Sequence, residues 1–164
     1  MAIAQDTFNL LRGKAYEGQV SDINVARIDS GPNAAAEAIP FGRFLVASGD
    51  DQGVALPGAG SVAKDFVGVS VRNPAWSNNA DEQPYYNQYD IVSALKSGRV
   101  FVVANGGCVR GNNVHVNIKG ALAVGTISGA TSADRIELTG VKFNSTVADG
   151  ELVEIVLDGN LVTA

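Results

Sequence analysis

The sequence contains a single cysteine, a single tryptophan and a single methionine among its 164 residues. One cysteine cannot form an internal disulfide, which excludes a disulfide-stapled scaffold. No apolar run approaches the roughly 20 residues that a transmembrane helix needs. The first residues have neither the basic nor the apolar stretch of a signal peptide, so we expect a protein that is made and assembled in a cytoplasm.

Positive charge is also scarce. Twelve lysines and arginines stand against 17 acidic residues, giving a formal net charge of −5, and the basic residues are scattered along the chain. Nucleic-acid binders gain most of their affinity from clustered basic side chains. The same acidity disfavours adsorption to anionic membranes. We therefore expect no direct contact with nucleic acid or membrane.

Glycine, by contrast, is abundant. It makes up about 12% of the chain (19 of 164 residues), against roughly 7% on average. Excess glycine between short valine-, isoleucine- and leucine-rich runs is what many tight turns require. About ten such runs recur at short intervals, without helical segments between them. This pattern predicts one all-β domain, a compact barrel or sandwich of short, mainly antiparallel strands.

Three local patterns make this prediction specific. Val67, Val69 and Val71 alternate with smaller residues, which places them together on one face of a strand. Residues 96–99 separate two apolar runs and predict a hairpin connection. Residues 29–33 are all turn formers and predict a loop.

Two stretches outside the predicted strands carry large apolar side chains that need a place to pack. Residues 1–17 predict an extended N-terminal arm ahead of a domain at 18–164, and residues 72–89 predict a long aromatic loop within it. These side chains are the candidate interface residues: Phe8, Leu10, Leu11 and Tyr16 in the arm, and Trp76, Tyr85, Tyr86 and Tyr89 in the loop. The alternatives left open are a frayed terminus, and tyrosines that cap the barrel of their own subunit.

Residues with catalytic potential are few and isolated. His115 is predicted to face solvent from an alternating strand, and no neighbouring cysteine or histidine supplies the spacing of a metal site. Cys108 has no second cysteine or base nearby in sequence and is expected to be a small buried side chain. No phosphate-binding loop or nucleophile elbow is present. We expect no catalytic, metal or cofactor-binding residues, and therefore no enzyme.

Four segments, in this order, resemble the structural cement proteins that decorate the heads of tailed phages. They are IPFGR (39–43), FVGVS (66–70), YDIVSALKSGRVFV (89–102) and GELVEIVL (150–157). Their order and spacing cover most of the chain, from about residue 18 to residue 157. Each segment alone is an apolar strand plus a turn, so their joint order carries the resemblance.

The resemblance implies a β-barrel or sandwich that binds the outer surface of an assembled capsid, bridges neighbouring capsomers and stabilises the mature head. It implies the major capsid protein as partner, a location in the virion, and no cofactor. A homotrimer is expected by analogy with other head-decoration proteins. The alternatives are another β module of the virion, in the tail or a fibre, and a soluble carbohydrate-binding β-sandwich.

Overall fold

The computed structural model describes residues 15–48, 52–73 and 85–161 of the chain. Regular structure in these ranges consists of β-strands and one 3-10 turn at Ala63–Asp65, which confirms the prediction of an all-β fold. None of these residues lies in a helix long and apolar enough to cross a membrane. The strands, in chain order, are β1 (Val20–Pro32), β2 (Ile39–Pro40), β3 (Phe44–Ala47), β4 (Val54–Ala55), β5 (Phe66–Ser70), β6 (Tyr85–Tyr86), β7 (Ile91–Val103), β8 (Asn113–Asn117), β9 (Ile127–Ser128), β10 (Arg135–Phe143) and β11 (Leu152–Asp158).

A nine-stranded antiparallel sheet dominates the structure. Eight of its strands follow the order β4-β3-β5-β7-β11-β10-β8-β9, and the ninth, β1, pairs with β7. Strand β1 lies along one edge of β7, whereas β5 and then β11 lie along the other edge. Ala104, directly after β7, forms a parallel bridge to Ile127 of β9, and Asn33, directly after β1, forms one to Val54 of β4. These bridges bring both ends of the sheet back towards β7, so the curled sheet encloses side chains. Strands β2 and β6 form a separate pair.

Strand β7 runs unbroken through residues 96–99, so the predicted hairpin at this point is wrong. Ser97 pairs with Arg27 of β1 and with Asp158 of β11. Partners on both edges satisfy the backbone hydrogen bonds of this stretch, and this tertiary pairing overrides its turn-like composition. Gly98 supplies a φ of +125° within the strand, a conformation that other residues rarely adopt.

Strand β1 likewise extends through residues 29–32 of the loop predicted at 29–33. Asp29 to Pro32 pair with β7 in continuous register, ending with Pro32 opposite Ile91. Proline cannot donate a hydrogen bond to a sheet and is tolerated at a strand end or edge, which is its position here. Pairing with β7 again outweighs the local preference of these residues for a turn.

Val67 does not share a face with Val69 and Val71, contrary to the alternation in the sequence. Leu45 of β3 pairs with Gly68, but Val46 pairs with Phe66, so Val67 is the extra residue of a bulge. A bulge leaves its extra residue unpaired and reorients the side chains around it. As a result, Val67 packs on one side of the sheet, and Val69 and Val71 pack on the other.

Two hydrophobic cores lie on opposite faces of the β3-β5-β7 part of the sheet. The large core is built from strands β3, β5, β7, β8, β9, β10 and β11 and includes Phe44, Val69, Leu95, Val116, Leu138 and Ile155. The small core consists of Ile39, Phe41, Leu45, Val54, Tyr86, Val92 and Ala94. The predicted division into an arm at 1–17 and a domain at 18–164 stays a prediction, but Tyr85 and Tyr86 of the predicted aromatic loop form strand β6.

Candidate functional site

The chain enters the domain through a tight turn at residues 16–19. The Gln19 amide donates to the Tyr16 carbonyl at 3.0 Å, and the Tyr16 amide donates to the Gln19 side chain at 3.1 Å. Gly18 then donates to the Phe101 carbonyl at 2.8 Å and accepts from the Arg72 amide at 2.7 Å. These bonds hold the turn against β7 and against the residues that follow β5.

Only glycine fits at position 18. Its φ is +76°, and a Cβ atom placed there would lie 2.9 Å from both the Phe41 Cβ and the Gly42 amide nitrogen. A side chain would therefore meet backbone and core atoms that have no room to move. The turn is held against the small core by this close approach.

Glu17 lies in the same turn and pairs with Arg43: Oε1 of Glu17 and Nη1 of Arg43 are 3.4 Å apart. Burial raises the pKa of the Glu17 carboxyl, because the loss of solvation outweighs the attraction of Arg43 and the hydrogen bond from the Val103 amide. The Glu17 side chain keeps 29% of its exposure and that of Arg43 17%. The pair joins the N-terminal turn to the start of β3.

Arg72 lies over the turn and contacts two aromatic rings. Its guanidinium carbon is 4.5 Å from the centroid of the Tyr16 ring and 6.0 Å from that of Phe41. A guanidinium within about 6 Å of a ring face is attracted by the ring quadrupole. Tyr16 is 57% exposed and Phe41 is buried, so Arg72 lies at the border between core and solvent.

The tyrosines of the predicted aromatic loop have different environments. Tyr86 is fully buried in the small core, packs edge-on against Phe41 with centroids 5.2 Å apart, and donates from its hydroxyl to the Val71 carbonyl at 2.6 Å. Burial raises the pKa of its phenol. Tyr85 is half-buried. The arrangement of Tyr86 matches the alternative in which a tyrosine caps its own subunit.

Tyr89 is 76% exposed at the turn between β6 and β7. Its φ is +67°, unusual for a residue with a large side chain, and its amide donates to the Asn33 carbonyl at 2.9 Å. The Asp90 carboxylate accepts from the Asn87 amide at 2.6 Å and closes this turn. Tyr89 thus presents its ring to solvent from a well-bonded backbone.

Of the eight predicted interface residues, Phe8, Leu10, Leu11 and Trp76 lie outside the described residues. The structure brings Tyr16, near the end of the predicted arm, into contact with Arg72, at the start of the predicted loop. Phe41 contacts both Arg72 and the buried Tyr86. Arg72 was missed from the sequence. Its signal is its position, two residues after the end of β5 and at the first residue of the predicted aromatic loop.

His115 and Cys108 both lie inside the protein. His115 is 8% exposed, so the prediction that it faces solvent is wrong, and neither ring nitrogen has a hydrogen-bond partner among the described residues. Strands β9 and β10 flank it through Ser128 and Glu137. Cys108 is buried as predicted, and burial raises the pKa of its thiol, which disfavours the nucleophilic thiolate. The described residues contain no cluster of side chains suited to a metal ion.

A groove of about 540 Å³ lies between β1, β4, β5 and β7. Its apolar floor is formed by Val54, Val67 and Ala94. Its charged groups are Lys96 and Asp29, 2.6 Å apart. The hydrogen bond from Lys96 lowers the pKa of the Asp29 carboxyl. Among the described residues that line the groove, these two charged groups pair with each other.

The sequence profile of one protein family, described as structural cement protein (E217 gp24/Pam3 gp6), matches residues 4–158. No curated protein matches the chain. Among solved structures, a chain in "The capsid of Myoviridae Phage XM1" has a similar fold, with a TM-score of 0.73 and 12% identity over 89% of this chain and 91% of that one. The head fibre gp8.5 N base of bacteriophage phi29 gives a TM-score of 0.44 and 14% identity over 84% of this chain and 100% of that one.

Proposed function

This chain belongs to the family of phage structural cement proteins, and from that premise we propose that it binds the outer surface of the assembled head and bridges neighbouring capsomers. The family match over residues 4–158 is the observation that carries the proposal. The similar fold of a chain in the phage XM1 capsid supports the same location. The partner we propose is the major capsid protein.

The proposed mechanism is thermodynamic linkage. A packed genome pushes outward on the shell, and the contacts between capsomers are where the shell fails. A protein that binds two neighbouring capsomers adds contacts that must break before the capsomers separate. It stabilises the assembled lattice because it binds that lattice and not the free subunit. Selectivity for the mature head then requires a higher affinity for the mature arrangement.

Oligomerisation would strengthen this effect, and we propose a homotrimer by analogy with other head-decoration proteins. Each copy can then bind modestly, because the second and third contacts form at high effective concentration. The net charge of −5 suits an outer position, away from the packaged genome.

The proposed contact residues are the exposed or peripheral members of the predicted set. Tyr16 and Tyr89 are exposed, at 57% and 76%, and Tyr85 is half-buried. The N-terminal arm and Trp76 are also proposed contacts, because their large apolar and aromatic side chains are typical of interfaces. Tyr86 is left out, because its side chain is buried in its own subunit.

Co-sedimentation with purified heads that lack the protein tests the proposal. We expect the full chain to sediment with intact heads at a fixed ratio to the shell protein, and to raise the temperature at which heads release their DNA. A chain that stays in the supernatant at saturating head concentration would contradict a decoration role. Electron microscopy of labelled particles then separates a head location from a tail or fibre location.

Deleting residues 2–14 tests the role of the arm. The turn at residues 16–19 keeps its own hydrogen bonds in such a variant, so we expect a folded protein with an unchanged unfolding transition. Binding to heads should fall at least tenfold, because the arm contributes apolar contact area. Undiminished binding would refute a role of the arm in binding to heads.

A further inference from the structure

We propose that Arg72 is a preorganised anchor for a carboxylate side chain of the shell protein. The inference rests on the proposed function and adds to it a particular residue and the chemistry of its partner. It is carried by the position of Arg72 on the domain, by the rings beneath its guanidinium, and by the lack of an acidic partner within the described part of the chain.

The backbone of Arg72 is fixed at a junction of three segments. Its amide donates to the Gly18 carbonyl at 2.7 Å, and the preceding residue, Val71, is bonded to the Ser93 carbonyl at 2.8 Å. The Val71 carbonyl in turn accepts the Tyr86 hydroxyl at 2.6 Å. Arg72 therefore starts from a rigid base, unlike an arginine on an open loop.

The side chain is held as well. Its guanidinium lies 4.5 Å from the Tyr16 centroid and 6.0 Å from that of Phe41, so its orientation is restricted before any partner arrives. Stacking on rings leaves the edge of the guanidinium, with its N–H donors, free to form hydrogen bonds. Ordering an arginine in advance reduces the entropy lost on binding.

No carboxylate in residues 15–48, 52–73 or 85–161 pairs with this guanidinium. Among these residues, Arg43 pairs with Glu17, Arg27 with Asp29, and Arg135 with Asn117 and the Ala130 carbonyl, whereas the guanidinium of Arg72 makes only its ring contacts. In an acidic chain, an ordered arginine without an acidic neighbour is complementary to a carboxylate from another molecule. Arginine and tyrosine are also the residues most enriched at interface hot spots.

Binding of Arg72→Gln to heads that lack the protein tests the anchor. We expect affinity to fall about ten- to hundredfold, because a charged hydrogen-bonded contact is lost. Arg72→Lys should fall in between, because it keeps the charge but loses the planar, bidentate geometry. Raising salt should weaken the wild type more than Arg72→Gln. Arg110→Gln is the matched control, since it removes one charge from an exposed loop, and it should bind within about twofold of wild type.

A variant at Tyr16 tests whether the ring that orients the Arg72 guanidinium contributes to binding in addition to the charge of Arg72. Tyr16→Ala should lose part of the affinity even though no charge changes, and the same substitution should cost less in the Arg72→Gln background, where there is no guanidinium for the ring to orient. Thermal unfolding of every variant establishes that the domain is intact. If the wild type binds heads and Arg72→Gln binds equally well, the anchor is refuted while the proposed function stands. If the wild type itself fails to bind, the proposed function is refuted.

A rival partner is a carboxylate of this same chain outside the described residues, and Asp81 and Glu82 are tested because they lie nearest to Arg72 in the sequence. A double-mutant cycle between Arg72→Gln and Asp81→Asn/Glu82→Gln, followed by thermal unfolding, distinguishes the two. Additive effects support an external partner. A coupled loss of stability, shared by the two sets of substitutions, would assign the guanidinium to its own chain and overturn the inference.

Discussion

The large core and the small core share strand β7 but are held together in different ways. The large core is lined by aliphatic side chains from strands as long as β7, β10 and β11, whose backbones pair with each other. The small core lies among the two-residue strands β2, β4 and β6. There, buried polar side chains replace regular pairing: Asn33, fully buried, donates to the Glu37 carbonyl at 2.8 Å and accepts from the Ala35 amide at 3.1 Å. Where strands are short, individual polar side chains satisfy the backbone.

The largest expected difference between the cores comes from truncating one buried isoleucine in each of them to alanine. Ile155 and Ile39 are both fully buried, in the large and the small core respectively. Ile→Ala substitutions in cores cost about 2–5 kcal/mol. We expect Ile155→Ala near the upper end, because its cavity is enclosed by paired strands, and Ile39→Ala near the lower end, because the short strands around it can collapse. Urea unfolding measures both, and equal costs would show that the two cores are equally rigid.

A smaller effect should come from the buried amide of the small core. Asn33→Ala leaves the Glu37 carbonyl and the Ala35 amide without their partner, which costs about 1–3 kcal/mol. Asn112, exposed on the loop before β8, is the control, and Asn112→Ala should change stability by less than about 0.5 kcal/mol. If Asn33→Ala costs no more than the control, apolar packing alone holds the small core.

The smallest effect is a pH dependence from Glu17, which lies outside both cores and connects the N-terminal turn to β3. Its pKa is raised from 4.5 in the folded state, so the folded protein binds the proton more tightly than the unfolded chain does. Its contribution to stability is therefore fully present below pH 4.5 and is lost as pH rises through the raised pKa.

Glu17→Gln removes this titration. We expect the melting temperature of the variant, relative to wild type, to rise between pH 4.5 and pH 7. The measurement is a series of thermal unfolding curves of both proteins in the same buffers. If the melting temperature of the wild type instead increases relative to that of the variant as pH rises, the attraction of Arg43 outweighs the cost of burying the carboxylate.

The sequence was sufficient to predict the fold class and most strand positions, because alternating apolar residues report directly on half-buried strands. It was misleading where pairing partners are distant. Residues 96–99 and 29–32 have the composition of turns, yet each continues a strand because it pairs with a distant strand, residues 29–32 with β7 and Ser97 with both β1 and β11. The bulge at Val67 was equally invisible, since it depends on the register with β3.

The candidate site was only partly predictable, for a similar reason. Tyr16 and the start of the aromatic loop stood out by composition, but their contact through Arg72 depends on the hydrogen bond between Arg72 and Gly18 across the sheet. The burial of His115 shows the same limit: alternation placed it on the face opposite Val114 and Val116, and the structure covers that face as well.

The pairing of β1 with β7 has a consequence for how the protein is made. Strand β1 leaves the ribosome about 70 residues before its partner is complete, a wait of several seconds at 5–20 residues per second. During that time its edges are open to other nascent chains. Its irregular register between Asp22 and Arg27, its charged Arg27 and Asp29, and its terminal Pro32 are the features that discourage such pairing. Strand β1 is thus protected until the middle of the chain has been synthesised and can pair with it.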